Sequence, residues 1–139
     1  MSHPSAPRLP PPDDPVARAL GRTVWHGLQL GAVMARIARE IGRPEDLISK
    51  VPRAQLRKDL VIHLPQAGLS PTDEADLLEW LQRIAEPVDE YEELGLSTPA
   101  TVMELGPPLL QELTFLLENA AALGDHLHTR IWPRTEVHS

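Results

Sequence analysis

His126 and His128, near the C-terminal end, are the only close pair among the six histidines of this sequence, and histidine is a common metal ligand. On a β-strand both imidazoles would point to one face and could chelate a metal, whereas on an α-helix they point about 200° apart. Leu127 and Ile131 continue the apolar spacing of a preceding helix, which separates the two rings. Two nitrogen ligands also fall short of the three or four protein ligands of a zinc site. We therefore expect no metal at this pair and no cofactor elsewhere.

Two pairs of carboxylates, Asp76 with Glu79 and Glu86 with Asp89, have the three-residue spacing found in helical two-metal sites. Both pairs lie on one predicted helix, so they cannot face each other across a metal ion. The chain also has no nucleophile elbow and no glycine-rich phosphate loop. These observations predict no catalytic residues and favour binding over catalysis.

Charge is strongly segregated along the chain, whose formal net charge is −7. Residues 1–58 carry a net charge of +5, and residues 59–139 carry −12. Such a division concerns partners and self-association more than fold. Eleven arginines against two lysines also suit a GC-rich bacterial genome.

Two surfaces of opposite sign follow from this division. The candidate acidic docking face for a basic partner consists of Glu86, Asp89, Glu90 and Glu93. The candidate basic patch consists of Arg43, Lys50, Arg53, Arg57 and Lys58. The acidic total, the lack of interleaved aromatic residues and the absence of a reading motif argue against nucleic acid as the partner. A solvated surface is the alternative for each cluster.

Gly27, Gly31 and Ala35 recur every four residues on one face of the first predicted helix. Glycine inside a helix costs about 1 kcal/mol relative to alanine, so this face predicts a close approach by another group. Close packing within the chain, a seam between two subunits and a flat ligand near His26 are the alternatives. Together with the opposed charges, the seam predicts a homodimer.

Proline and glycine mark the ends of the predicted helices. We expect a helix over residues 15–41, a broken helical region over 44–63, a helix over 71–94 kinked at Pro87, and a short helical piece over 99–105 followed by a long helix from Pro107. The apolar stripe of the last helix is Leu109, Leu113, Leu116, Ala120, Leu123 and Leu127. The pattern predicts an all-α bundle of four or five helices. A two-stranded ribbon pairing residues 61–64 with 125–132 is the alternative.

The length suits one domain, over residues 14–132, with a disordered proline-rich tail over 1–13 and a flexible C-terminus over 133–139. The chain has no cysteine and no apolar run long enough to span a membrane. Its first 15 residues contain one arginine and no apolar run, so we expect no signal peptide. We therefore expect a soluble cytoplasmic protein. Its predicted function is to bind another protein, as a small acidic adaptor, regulator, chaperone-like or immunity-type protein. A small helical enzyme or sensor with a ligand or metal in the bundle core is the alternative.

The histidine pair gives the first testable prediction. Because zinc bound to the folded state would stabilise it in proportion to occupancy, a functional site would raise the melting temperature. We expect the melting temperature with zinc to stay within about 1 °C of its metal-free value. A rise of several degrees that disappears in the His126→Ala, His128→Ala double variant would contradict this expectation.

Overall fold

The computed structural model describes the backbone of residues 15–96 and 99–133, and within it the side chains of all but residues 16, 96 and 99–107. These residues form six α-helices and a 3-10 turn, and no strand. The elements are α1 (Pro15–Glu40), α2 (Glu45–Lys50), α3 (Arg53–His63), the turn Leu64–Gln66, α4 (Pro71–Arg83), α5 (Ala85–Leu96) and α6 (Pro99–Ile131).

The all-α prediction is confirmed, and the ribbon alternative is wrong. Residues 61–63 belong to α3, and residues 125–131 belong to α6. Both predicted ends of the chain fall almost wholly outside the described residues: the tail over 1–13 does so entirely, and the C-terminal segment does so except for Pro133.

Two predicted helix boundaries are wrong. The helix expected to kink at Pro87 is instead two helices, because α4 ends at Arg83 and α5 begins at Ala85. Proline has no N–H to bond the carbonyl four residues earlier, which favours a break just before it. In contrast, α6 runs unbroken from Pro99 through Gly106 and Pro107, where two pieces were expected.

Local signals account for the boundaries that were predicted correctly. Gly42 has φ of +84°, and the N–H groups of Gly42 and Arg43 donate to the carbonyls of Arg39 and Ala38. This Schellman motif ends α1 and needs a residue that tolerates the left-handed conformation. At the start of α4 the Ser70 hydroxyl accepts from the N–H of Asp73 at 3.1 Å, and Pro71 occupies the first helical position.

The two long helices, α1 and α6, pack side by side in parallel. Contacts between them follow the same order along both helices: Thr23 with Thr114, Arg36 with Asp125, and Glu40 with His128. Thr23 is the one buried polar residue among the described side chains, and its Oγ1 lies 2.7 Å from that of Thr114. A buried polar contact of this kind fixes the register of two helices.

The buried stripe of α6 differs from the predicted one at every second position. Leu113, Ala120 and Leu127 are buried as expected. The buried residues that alternate with them are Leu110, Leu117 and Gly124, in place of Leu109, Leu116 and Leu123. The predicted positions Leu109 and Leu123 are 53% and 37% exposed, and Leu116 is half-buried. Both sets obey a heptad spacing, so α6 has an apolar surface wider than a single seam.

Gly124 lies where α6 contacts both α4 and α1. A β-carbon at this position would overlap the Trp80 ring of α4 and a methyl group of Val33 on α1. Trp80 is almost fully buried, and its indole N–H donates to the Ala120 carbonyl at 2.9 Å. The missing side chain of Gly124 therefore provides the space that seats Trp80 between the long helices.

This geometry predicts opposite effects for two glycine-to-alanine substitutions in helices. Gly124→Ala should lower the free energy of unfolding by about 1–2 kcal/mol, because overlap with Trp80 outweighs the better helix propensity. Gly21→Ala, where nothing lies within 4 Å of the new methyl group, should raise it by about 0.5–1 kcal/mol. Urea unfolding of both variants measures the difference, and a stabilising Gly124→Ala would contradict this packing.

Candidate functional site

An open groove runs along the flank of α6 that carries Leu116 and Leu123. It consists of two adjoining cavities of about 200 Å³ and 270 Å³, which share Trp80, Arg83 and Leu123 in their walls. The first cavity has the apolar lining, formed by Trp80, Ile84, Pro87, Leu116, Ala120 and Leu123. The second extends toward the C-terminal end of α6 and is lined also by His126 and Leu127.

The groove arises from the break between α4 and α5. Because α4 stops at Arg83, the chain turns at Ile84 and leaves the flank of α6 incompletely covered. Leu116 and Leu123 belong to the additional apolar surface of α6 that α1 does not bury. Trp80 forms the floor, held by its hydrogen bond to Ala120.

One end of the groove is lined by Glu86, which belongs to a cluster of acidic residues. Glu86, Glu90 and Glu93 of α5 lie near Glu112 of α6, which comes from a different helix and was not part of the predicted acidic face. Partial burial of Glu90 raises its pKa, and the negative charges of Glu86, Glu112 and Glu93 raise it further. Asp89, the remaining member of the predicted face, is exposed on α5.

At the other end of the groove the charges are compensated. Arg130 of α6 lies 3.1 Å from the Asp73 carboxylate and 2.9 Å from the Asp76 carboxylate. Arg83 pairs more loosely with Glu79, at 3.4 Å. The groove therefore has an apolar floor, one acidic end and one end where positive and negative side chains alternate.

The predicted basic patch does not form one surface. Arg43 makes a two-pronged ion pair with Asp59, at 2.7 Å and 3.0 Å, and both side chains are mostly buried. Lys50 and Lys58 are exposed on α2 and α3. This pair therefore links the end of α1 to α3, which is a structural role.

Arg53 and Arg57 point inward from α3 toward the neighbouring helices. An Arg57 nitrogen donates at 3.2 Å to the Leu81 carbonyl, which is left without a helical partner where α4 ends. The Arg53 guanidinium lies 5.2 Å from the centre of the Tyr91 ring, a cation–π contact. In addition, the backbone N–H of Arg53 donates to the Glu92 carboxylate, which caps α3 from α5.

The small-residue face of α1 is covered by side chains of this same chain. A β-carbon on Gly27 would overlap the Tyr91 ring, and one on Gly31 would overlap the Arg53 guanidinium. Ala35, one turn further along, is half-buried. Of the three alternatives for this face, packing within the chain is the one these contacts match. Neither a subunit seam nor a flat ligand can occupy the space that Tyr91 and Arg53 fill.

The histidine pair is divided between two environments. His128 lies 2.9 Å from a Glu40 carboxylate oxygen and packs against Trp132, with ring centres 5.7 Å apart. His126 is exposed and lines the groove. Among the described side chains no three potential metal ligands come together. Nor does any helix in the described ranges combine the length and apolarity needed to cross a membrane.

Sequence reasoning missed Glu112 and Glu92 as members of their sites for different reasons. Glu112 precedes Leu116 by four residues, so both side chains lie on the same flank of α6. Recognising that this flank is exposed would have drawn attention to Glu112. Glu92 looked like one more solvated acid, because nothing in the sequence shows that α5 brings it to the start of α3.

Comparison of the chain with protein-family models, with curated proteins and with solved structures returned no match.

The raised pKa of Glu90 predicts a pH-dependent effect of Glu90→Gln. A carboxyl whose pKa is higher in the folded state destabilises the fold above that pKa, and this cost disappears as pH falls through it. Glu90→Gln should therefore raise the melting temperature at pH 7, by no more than about 3 °C for an exposed group. Below about pH 4 the two proteins should melt together. A lower melting temperature for Glu90→Gln at pH 7 would contradict the unfavourable environment.

Proposed function

We propose that this chain is a non-catalytic helical protein that binds another protein in the groove between α6 and the α4–α5 corner. The observation that carries the proposal is the apolar lining of the groove, in which Leu123 is 37% exposed and Leu116 is half-buried above the buried side chains of Trp80 and Ile84, beside an acidic cluster. Adaptor, regulator, chaperone-like and immunity-type roles all use such a surface. The proposal includes the cytoplasmic setting expected from the composition.

The dimensions of the groove support a protein partner. Its two cavities, of about 200 Å³ and 270 Å³, share a wall and follow one another along α6, so the groove is longer than either cavity alone. Shallow, elongated depressions with an apolar floor and charged rims suit the side chains of a helix or an extended segment. Binding energy at such sites is concentrated on a few large anchors at the centre.

The charges at the rim support selection among partners. The acidic end has unfavourable interactions between its own carboxylates, and a cation from a partner would relieve them. Charged rims of this kind steer encounter and reject partners of like charge. The anticipated partner segment therefore presents apolar side chains with basic residues on one side.

Site-directed photo-crosslinking in cells tests the proposal. A photoreactive phenylalanine derivative at Asn119, an exposed position in the groove wall, should give a discrete adduct between this chain and a protein. The same derivative at Gln55, exposed on α3, serves as the matched control and should give no such adduct.

Charge reversal distinguishes specific binding from chance proximity. Glu86→Lys combined with Glu90→Lys should reduce the Asn119 adduct at least fivefold, because the acidic end would then repel a basic partner. Absence of any adduct at Asn119, or equal adducts at Asn119 and Gln55, would overturn the proposed function.

A further inference from the structure

The α1 helix carries an exposed apolar patch that nothing in the described chain covers. Val24, Trp25 and Leu28 are 40%, 58% and 51% exposed, and they occupy adjacent positions within little more than one turn. The chain has only five aromatic residues, and one of its three tryptophans is placed here. Tryptophan is among the residues most enriched as interface anchors.

Basic side chains border this patch. Arg18 and Arg22 precede Trp25 by seven and three residues, so both lie on its side of the helix. Both are exposed, and within the described ranges neither forms an ion pair. The patch on α1 therefore has the chemistry that the groove requires of its partner: apolar anchors flanked by positive charge.

The patch and the groove of one chain cannot meet. The Thr114, Asp125 and His128 side of α6 is occupied by α1. The groove lies on the other side, along Leu116 and Leu123. Because α1 is fixed against its own α6, only a patch supplied by a second molecule can enter the groove.

We propose that the groove of one molecule binds the Val24–Trp25–Leu28 patch of a second copy of this chain. In this arrangement Trp25 is inserted over the apolar floor, and Arg18 and Arg22 approach the carboxylates of Glu86, Glu90 and Glu112. This inference deepens the proposed function by naming the occupant of the same groove. It replaces the glycine seam, which Tyr91 and Arg53 fill, as the route to self-association.

The charge division gives this contact its direction. The basic half of the sequence supplies the patch with Arg18 and Arg22, and the acidic half supplies the groove with Glu86, Glu90 and Glu112. Trp25 and Leu116 each lie two residues, or about 200° around the helix, from the threonines that join α1 to α6, so the patch and the groove face opposite ways. The contact is therefore heterologous: it forms a closed ring where the rotation closes and a chain of molecules where it does not. Association should weaken steeply with added salt, because the Debye length, over which exposed charges act on each other, falls to about 3 Å at 1 M ionic strength.

A complementation experiment with two defective variants tests the inference. Trp25→Glu disables the patch, and Glu86→Lys combined with Glu90→Lys and Glu112→Lys disables the groove. All four positions are exposed, so both variants should fold, which circular dichroism checks. In sedimentation velocity the wild type should associate with increasing concentration, and each variant alone should remain monomeric.

Mixing the two variants restores one intact contact, because one supplies a working patch and the other a working groove. The equimolar mixture should therefore form a 1:1 complex and nothing larger. Ile62→Glu, which changes an apolar residue exposed on α3, is the matched control and should associate as the wild type does.

The outcomes separate this inference from the function on which it rests. A wild type that stays monomeric at about 0.5 mM, or a mixture that forms no complex, overturns the inference. If the Asn119 crosslink then captures a different protein, the proposed function stands without it. If the crosslink captures nothing, both are overturned.

Discussion

The parallel pairing of α1 with α6 is the constraint on which the rest of the structure depends. Three contacts at matching intervals fix its register: the two threonine hydroxyls at 2.7 Å, Arg36 with Asp125 at 2.9 Å, and Glu40 with His128 at 2.9 Å. Helices that run in the same direction cannot be joined by a short loop. The chain from residue 41 to residue 96 must therefore return along the pair, and α2 to α5 do so.

The returning segment explains both the internal arginines and the groove. Its helices are short, so it has many ends whose backbone groups need partners. Arg57 satisfies a carbonyl at the end of α4, and Glu92 satisfies an N–H at the start of α3. The same interruption before Pro87 leaves the Leu116 and Leu123 flank of α6 open. The groove is thus a consequence of how this segment covers the long pair.

Local rules predicted those parts of the fold that depend on neighbouring residues. The Schellman motif at Gly42, the cap at Ser70 and the helical state of residues 125–131 all followed from spacing and residue type. Local rules did not predict which face of α6 is buried. Apolar residues recur at heptad spacing from both Leu109 and Leu110, and packing against the partner helix decides which set is buried. The sequence placed Glu86, Glu90 and Glu93 close together on one helix, whereas Glu112 joins them only through tertiary packing.

Disulfide trapping of the α1–α6 register tests this account most directly. The chain has no cysteine, so the double variant Thr23→Cys, Thr114→Cys has only one pair to oxidise. Parallel pairing predicts rapid formation of an intramolecular disulfide, because the two hydroxyl oxygens are already 2.7 Å apart. Thr23→Cys with Thr129→Cys, which would meet in an antiparallel pair, should form none. The opposite result, with a disulfide to residue 129 and none to residue 114, would contradict the pairing and the groove built on it.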